Sequence, residues 1–415
     1  MNEHRLESII SFETRIDEWV YNALCNNVLN LHELIMACPS VYPSDIVKSV
    51  RRLVQNDKID SKYLLLLESP NPKKTNGSIK NINNSLPCPH PLDYDWRFSF
   101  SAGEFLISEI RSICGKCDSL LIFGAPSLYH CMREANIANN ITILDSNRNV
   151  INYFLNQSEN SNAKHFDAFC DEPFPSQFDV AVIDPPWYEE HAKAFLWCAS
   201  KMCKRGALIF FSTPSIGTRP GVKQEWRKMK EWLSAYGYTE INRKNLSLSY
   251  TTPIFEINSL LSEGIKTIPL EWRRSDLSIL RLDIKCNFER PGNSETERWN
   301  DFIISSVHIK FKNSIRKKGF PKLNKIVDGD ILPSVSRWHP IRKNADIWTA
   351  GNRIYSCDDP LLSMELILKR YQDISISEIL KKYLGRIPTK LEFSEAEKSV
   401  SQILTLINIE ENEFN

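Results

Sequence analysis

The stretch Asp184-Pro185-Pro186-Trp187 concentrates more chemistry than any other part of the chain. An amine that attacks an electrophilic methyl group needs its lone pair free and aimed, so its N–H bonds must be held by acceptors. A carboxylate supplies one acceptor. The carbonyl between two prolines supplies a second, because the fixed φ of the ring holds it out and the following nitrogen carries no hydrogen. The aromatic ring in the fourth position can stack on a planar base or face an alkylamine. A plain strand-terminating turn with a buried tryptophan is the competing explanation. The apolar run Phe178 to Ile183 directly before Asp184 favours catalysis, since ligands of an open parallel sheet sit beyond the carboxyl ends of its strands.

Two other strand ends carry informative residues. Ser119 to Phe123 is a continuous apolar run that closes at Gly124, followed by Ala125-Pro126-Ser127. The second and third glycines of a dinucleotide fingerprint are missing, so a pyrophosphate has no cradle and NAD or FAD is disfavoured. S-adenosylmethionine carries no phosphate, and one glycine that allows close backbone approach suffices for it. Asp145 closes the run Ile141 to Leu144 about twenty residues after Gly124, where an acid can accept both hydroxyls of a ribose. A helix cap before the helix that begins after Ser146-Asn147 is the competing role and is compatible with the first; the neighbouring strand ends favour the ribose. Asp167 lies where a third strand would end and can bond an adenine amino group, or serve as an ordinary loop aspartate.

These residues need a frame. From residue 96 apolar strands alternate with helical stripes, the βαβ rhythm of a doubly wound α/β sheet, here with an antiparallel edge. Helices are expected from Pro126 through Met132, through Phe154 and over Trp226–Tyr236, with further strands at Leu208–Phe211, near Glu240–Leu248 and near Ile254–Leu260. Residues 1–70 read as helix, turn, helix and a short strand at Ile59–Leu64, a winged-helix-like outline whose second helix presents Lys48, Arg51 and Arg52. A small helical packing module fits the same pattern. Residues 71–95 read as a linker rich in turn formers, 96–285 as the Rossmann-like domain, and 286–415 as a C-terminal α+β extension. In the extension, Ser334 to His339 with Arg342 gathers polar and aromatic groups that could meet substrate, and a structural turn between strands accounts for them better, since lone His and Arg usually cap or pair locally.

Composition bounds the rest. The 415 residues contain 52 Lys+Arg against 51 Asp+Glu, so no global field points to a polyanion, and nucleic-acid binding must come from local patches such as Lys223–Lys230 and Lys310–Lys325. The 11 cysteines show no framework spacing, and Cys114/Cys117 is the only C-x-x-C, so no metal is expected and reduced thiols imply a cytoplasmic setting. The charged start lacks the apolar core of a secretory signal, and no apolar run is long enough for a bilayer.

Three motifs in order resemble the adenine-amine and lysine-amine methyltransferases that include the elongation-factor lysine methyltransferases: Phe98-Ser99-Phe100-Ser101, Ala125-Pro126-Ser127-Leu128-Tyr129, and Phe178 through Asp184-Pro185-Pro186-Trp187-Tyr188. The resemblance covers residues about 97–215. It implies a Rossmann-like methyltransferase fold, S-adenosyl-L-methionine as cofactor, Asp184 to Trp187 around the amine, and Phe100, Ser101, Gly124 to Ser127, Asp145 and Asp167 around the cofactor. Trp187, where the family has Tyr or Phe, is similar to the messenger-RNA adenine methylases. The chain also resembles the branched-polyamine synthases, which join a winged-helix-like part to an Asp-Pro-Pro-aromatic domain and transfer aminopropyl groups. Those carry acidic residues after the first-strand glycine, suited to a polycation, where this chain has Ala125-Pro126-Ser127.

The reading that follows is an amine methyltransferase acting on adenine N6 of nucleic acid, with no membrane partner. A protein lysine is the alternative acceptor. Aminopropyl transfer and a non-catalytic winged-helix binding protein are the further alternatives.

Overall fold

The computed structural model describes residues 3–68, 86–114, 119–137, 140–158, 161–175, 178–284, 287–292, 297–370 and 372–414. The chain divides into two compact units. The first comprises residues 1–87, 96–252 and 265–294; the second comprises 88–95, 253–264 and 295–415. Residues 88–95, at the end of the stretch read as a linker, thus belong to the second unit, and the N-terminal helices belong with the large sheet.

In the first unit, helices α1 (Glu3–Cys25), α2 (Leu31–Ala37) and α3 (Pro43–Gln55) lead the chain. Pro43 at the first turn of α3 has the φ a helix start requires, and Ile46, Val50 and Leu53 turn inward. The strand expected at Ile59–Leu64 is absent; Ser61–Glu68 is a 3₁₀ helix in which no residue is buried. With no neighbouring strand to satisfy its backbone, this segment closes local turns such as Tyr63 N–H to the Asp60 carbonyl, 3.1 Å. The wing of a winged helix is therefore missing among the described residues.

The sheet comprises β1 (Arg97–Phe98), β2 (Ser119–Phe123), β3 (Asn140–Asp145), β4 (Ala163–His165), β5 (Phe178–Ile183), β6 (Cys203–Pro214), β7 (Tyr238–Thr251) and β8 (Arg274–Leu282), in the order β1-β7-β8-β6-β5-β2-β3-β4. Strands β4, β3, β2, β5 and β6 run parallel, and β8 enters antiparallel between β6 and β7. Every residue of β2 is buried, as a central parallel strand requires when both faces are covered. Its alternate side chains feed two cores. Leu120 and Ile122 join Ile143, Val182 and Phe210 beneath α4 (Phe100–Cys114), α5 (Pro126–Glu134) and α6 (Arg148–Gln157). Leu121 and Phe123 join Ala181, Ile183 and Phe211 beneath α7 (Glu189–Met202) and α8 (Val222–Ala235). The doubly wound α/β architecture expected from the strand rhythm is present, with its antiparallel edge.

The second unit contains α9 (Ile254–Ser262), a five-stranded antiparallel sheet, and α10 (Pro360–Arg370), α11 (Ile376–Leu384) and α12 (Lys390–Phe414). Its strands β9 (Trp299–Ile304), β10 (Val307–Lys312), β11 (Leu323–Lys325), β12 (Ile347–Thr349) and β13 (Ile354–Cys357) stand in the order β11-β13-β12-β10-β9. In place of the strand expected at Ile254–Leu260, this short apolar run forms the helix α9. Pro253 stands at its N-cap, and the polar Glu256, Asn258 and Ser259 face inward while Ile254 and Ile257 are half-buried, so the polar residues do not mark the outer face that would reveal the helical period. Arg353 anchors α12 through Glu413 at 2.6 Å and Glu410 at 3.2 Å. Among the described residues no helix is long and apolar enough to cross a membrane. The Cys114/Cys117 pair lies outside the residues whose side chains are described.

Candidate active site

The parallel sheet reverses its winding between β2 and β5, the place where such sheets bind ligands. Gly124 and Asp184 meet there. The last residues of the two strands, Phe123 and Ile183, are in register, and the Asp184 N–H donates to the Phe123 carbonyl at 3.0 Å. Gly124 has φ +69°, a conformation that glycine adopts freely. A Cβ placed on it would stand 2.9 Å from the Phe195 ring and 3.0 Å from the Asp184 carbonyl oxygen. The position therefore requires glycine on conformational and on steric grounds.

Around Gly124 the chain turns directly into α5. Pro126 occupies the first turn, Ala125 at the N-cap offers no side-chain cap, and the Ser127 hydroxyl is buried without a hydrogen-bond partner. An uncapped helix start beside an orphaned hydroxyl suits a carboxylate. On the neighbouring strand, Asp145 Oδ1 accepts the Asn147 N–H at 2.8 Å, while Asn147 itself caps α6. The cap alternative is thus real, but Asp145 caps the turn and Asn147 the helix. Asp167 follows β4, accepts the Phe169 N–H at 2.8 Å, and lies two residues past His165, the register partner of Asp145. Gly124, Ala125, Pro126, Ser127, Asp145 and Asp167 thus gather at the carboxyl ends of three adjacent strands.

Phe100 and Ser101 are placed differently. They open α4 after the edge strand β1, on the side of the sheet where β7 pairs with it. Ser101 belongs to a hydroxyl cluster in which Ser99 and Ser249 are 2.6 Å apart and Ser249 donates to Glu271 at 3.2 Å. Phe100 packs against the core beneath α4.

At Asp184 the carboxylate turns away from Gly124 toward β6 and β7. Tyr250 donates its hydroxyl to Oδ1 at 2.7 Å and is itself 2.6 Å from the Ser212 hydroxyl. Burial pushes the Asp184 carboxyl up to about 7, against the opposing pull of the Tyr250 and Ser212 hydrogen bonds and of the Arg273 charge. Burial likewise raises the Tyr250 phenol, which stays a donor. Among the described residues no donor reaches the Pro185 carbonyl, which fits the acceptor role expected of it. The Trp187 ring meets Tyr250 edge-on at 5.6 Å, and its carbonyl accepts from Arg219 at 2.8 Å. Arg273 lies over the Trp187 ring at 4.3 Å, so part of the expected stacking platform is already covered.

A shallow cleft with room for about 40 Å³ opens beside this loop, lined by Pro185, Pro186, Trp187, Pro214, Trp226 and Met229 among others. Trp226 comes from α8, its indole N–H is buried without a partner, and Arg243 stacks on its ring at 4.0 Å. The outward residues of α8 include the exposed Lys223, Arg227 and Lys228. The basic stretch Lys310–Lys325 is less free: Lys310 is buried against Asp93 and Asp301, and Lys312 and Arg316 pair with Glu297 and Asp346. On α3, Arg52 is held by Asp17 at 2.7 Å and Lys48 by Asp45 at 3.4 Å. Arg51 is the exposed cation expected there that makes no ion pair among the described residues.

Tyr250, Ser212, Arg273 and Trp226 escape sequence reasoning. Each is a single residue on β7, β6, the loop before β8, or α8, and only the sheet order brings them to Asp184 and its loop. In the second unit, Trp338 is exposed and Arg337 lies over its ring at 4.5 Å; both are far in sequence from this constellation.

No family model and no curated protein matches the chain. Among solved structures, it is similar to the branched-chain polyamine synthase of Thermus thermophilus, in complex with N4-aminopropylspermidine and 5′-methylthioadenosine, with a TM-score of 0.53 and 12% identity over 71% of this chain and 97% of that one. The C9 mutein of the same synthase gives a TM-score of 0.53 and 13% identity over 71% and 96%. A TehB-like S-adenosylmethionine-dependent methyltransferase from Corynebacterium glutamicum gives 0.30 and 10% over 43% and 86%. The likeness to the synthase shows the fold: a Rossmann-like sheet of the kind shared by methyltransferases and aminopropyltransferases.

Proposed function

We propose that the chain is an S-adenosylmethionine-dependent amine methyltransferase whose acceptor is the exocyclic amine of adenine in nucleic acid. The observation that carries this reading is the junction of Gly124 and Asp184 at the switch point of the sheet, with the Pro185 carbonyl beside it accepting no hydrogen bond among the described residues. The Gly124–Ser127 turn fits an adenosyl sulfonium donor, because the orphaned Ser127 hydroxyl with the uncapped start of α5 suits its carboxylate. Asp145 would take the ribose and Asp167 the adenine. When bound, the donor supplies the methyl group on a positively charged sulfur.

The chain's own residues then bind and aim. Asp184 and the Pro185 carbonyl each accept one N–H of the acceptor amine, which leaves its lone pair free, and Tyr250 fixes the carboxylate by holding Oδ1. Orientation supplies most of the effect, since a neutral aromatic amine has no proton to lose before attack. As the N–C bond forms the S–CH3 bond breaks, S-adenosylhomocysteine leaves as a neutral thioether, and the methylated nitrogen would then give up one N–H proton to the Asp184 carboxylate that holds it. Trp187 and Trp226 both line the cleft and supply rings on which a base could stack, and Lys223, Arg227 and Lys228 give the neighbouring surface the charge that a phosphate backbone seeks. Transfer of methyl label to RNA or DNA, lost in Asp184→Ala, tests the reading.

Aminopropyl transfer is the second reading, favoured by the fold likeness to the polyamine synthase. Against it stands Arg273, a cation over the Trp187 ring where a polycationic acceptor would need an open site; Arg219 and Arg243 are paired with Glu225 and Asp276 and favour neither reading. Titration with S-adenosylmethionine and with its decarboxylated form separates the two. A protein lysine would show itself by label in protein alone.

A further inference from the structure

The Arg273 guanidinium lies between two indole faces, 4.2 Å from the centroid of Trp96 and 4.3 Å from that of Trp187. Two more rings brace the pair. Trp272 meets Trp96 edge-on at 6.0 Å, and Tyr250 meets Trp187 edge-on at 5.6 Å. Such a box of aromatic faces is how proteins hold alkylammonium ligands. A carboxylate is also within electrostatic reach: Asp184, at the end of β5, feels the Arg273 charge. The box is occupied by the chain's own cation.

The backbone fixes that cation in place. The Arg273 carbonyl accepts the Tyr250 N–H at 2.9 Å. The flanking residues are tied to the N-terminal helices: the Trp272 carbonyl accepts the Ser40 N–H at 3.0 Å, Ser40 Oγ accepts the Arg274 N–H at 2.8 Å, and Tyr42 meets the Trp272 ring edge-on at 5.8 Å. The arginine is therefore delivered by a segment anchored on both sides.

We propose that Arg273 is a specificity-determining residue: it fills the Trp96–Trp187 cage and so bars alkylammonium groups, such as a polyamine or a protonated lysine, from the acceptor position. The inference rests on the reading of the Asp184 loop as the acceptor site. Removing the guanidinium leaves a vacant aromatic cage within reach of the Asp184 carboxyl, and such a cage binds cations.

The test is calorimetric titration of spermidine into the full chain saturated with S-adenosylhomocysteine, in the native protein and in Arg273→Ala, Arg273→Met and Arg273→Lys. Spermidine should bind Arg273→Ala at least tenfold more tightly than the native chain. Arg273→Met should show the same gain with the side-chain volume largely kept, and Arg273→Lys, which restores a cation, should return to native behaviour. Equal spermidine affinity in the native chain and in Arg273→Met overturns the inference, as does Arg273→Lys behaving like Arg273→Met. S-adenosylhomocysteine affinity separates the two levels: a native chain that fails to bind it refutes the reading of the site, whereas normal donor-site binding with unchanged spermidine affinity refutes the cage alone.

Discussion

The hydroxyl of Tyr250 lies 2.7 Å from Oδ1 of Asp184, joining a residue of the antiparallel edge to the end of a central parallel strand. That bond and the Ser212 hydroxyl behind it stabilise the charged carboxylate, while burial opposes it and wins, holding the group at about 7.

Asp184 should therefore cost stability at neutral pH. Its folded-state value lies above that of the unfolded chain, so the fold prefers the protonated form. The contribution is fully favourable below the unfolded value near 4 and is lost as pH rises toward 7. Asp184→Asn keeps an acceptor for Tyr250 and never ionises. Thermal melts should show it equal to the native chain near pH 4 and more stable at pH 8, by an amount on the order of 2–4 kcal/mol. A variant less stable at pH 8 would contradict the burial argument.

Activity should follow the opposite course. Only the ionised carboxylate accepts the amine N–H, so turnover should climb with an acid limb near pH 7 and level above it. Tyr250→Phe removes a bond to the charged form, which should move that limb to higher pH. A lysine acceptor would keep gaining rate well above pH 8, because its own proton must leave first.

Much of this is legible in the sequence, and the boundary has a physical cause. Gly124, Asp145 and Asp184 each end a buried apolar strand, so period and composition place them at one edge of the sheet. Tyr250 and Arg273 cannot be found that way: their roles depend on β8 inserting between β6 and β7, a pairing that no local pattern encodes. The two misread strands fail for a related reason. In Ile254–Leu260 the polar Glu256, Asn258 and Ser259 are buried while Ile254 and Ile257 are only half-buried, so polarity does not mark the outer face, and Ile59–Leu64 has strand-like residues with no neighbouring strand to pair with.

Gly124→Ala should damage the donor end selectively. The added methyl meets Phe195 and the Asp184 carbonyl at 3.0 Å or less, in a conformation alanine rarely takes, at a cost of about 1–3 kcal/mol. Calorimetry with S-adenosylhomocysteine should show affinity reduced at least tenfold in a protein that still melts cooperatively.

The acceptor end should respond to salt. If α8 borders the path of a phosphate backbone, replacing Lys223, Arg227 and Lys228 by Ala should weaken oligonucleotide binding, and the slope of log affinity against log salt should fall by about 0.9 for each phosphate left unneutralised. Trp226→Ala should weaken it by the worth of one stacked base, about 1–3 kcal/mol, with donor affinity unchanged. Filter binding across a salt series reads both.

The most direct measurement supplies methyl-labelled S-adenosylmethionine together with adenine-containing RNA and DNA to the native chain and to Asp184→Asn. The account predicts label on the adenine amino nitrogen with the native chain and none with the variant, even though the variant is the more stable protein at that pH. Label that persists in Asp184→Asn, or an aminopropyl group moved from the decarboxylated donor in place of a methyl, would contradict it.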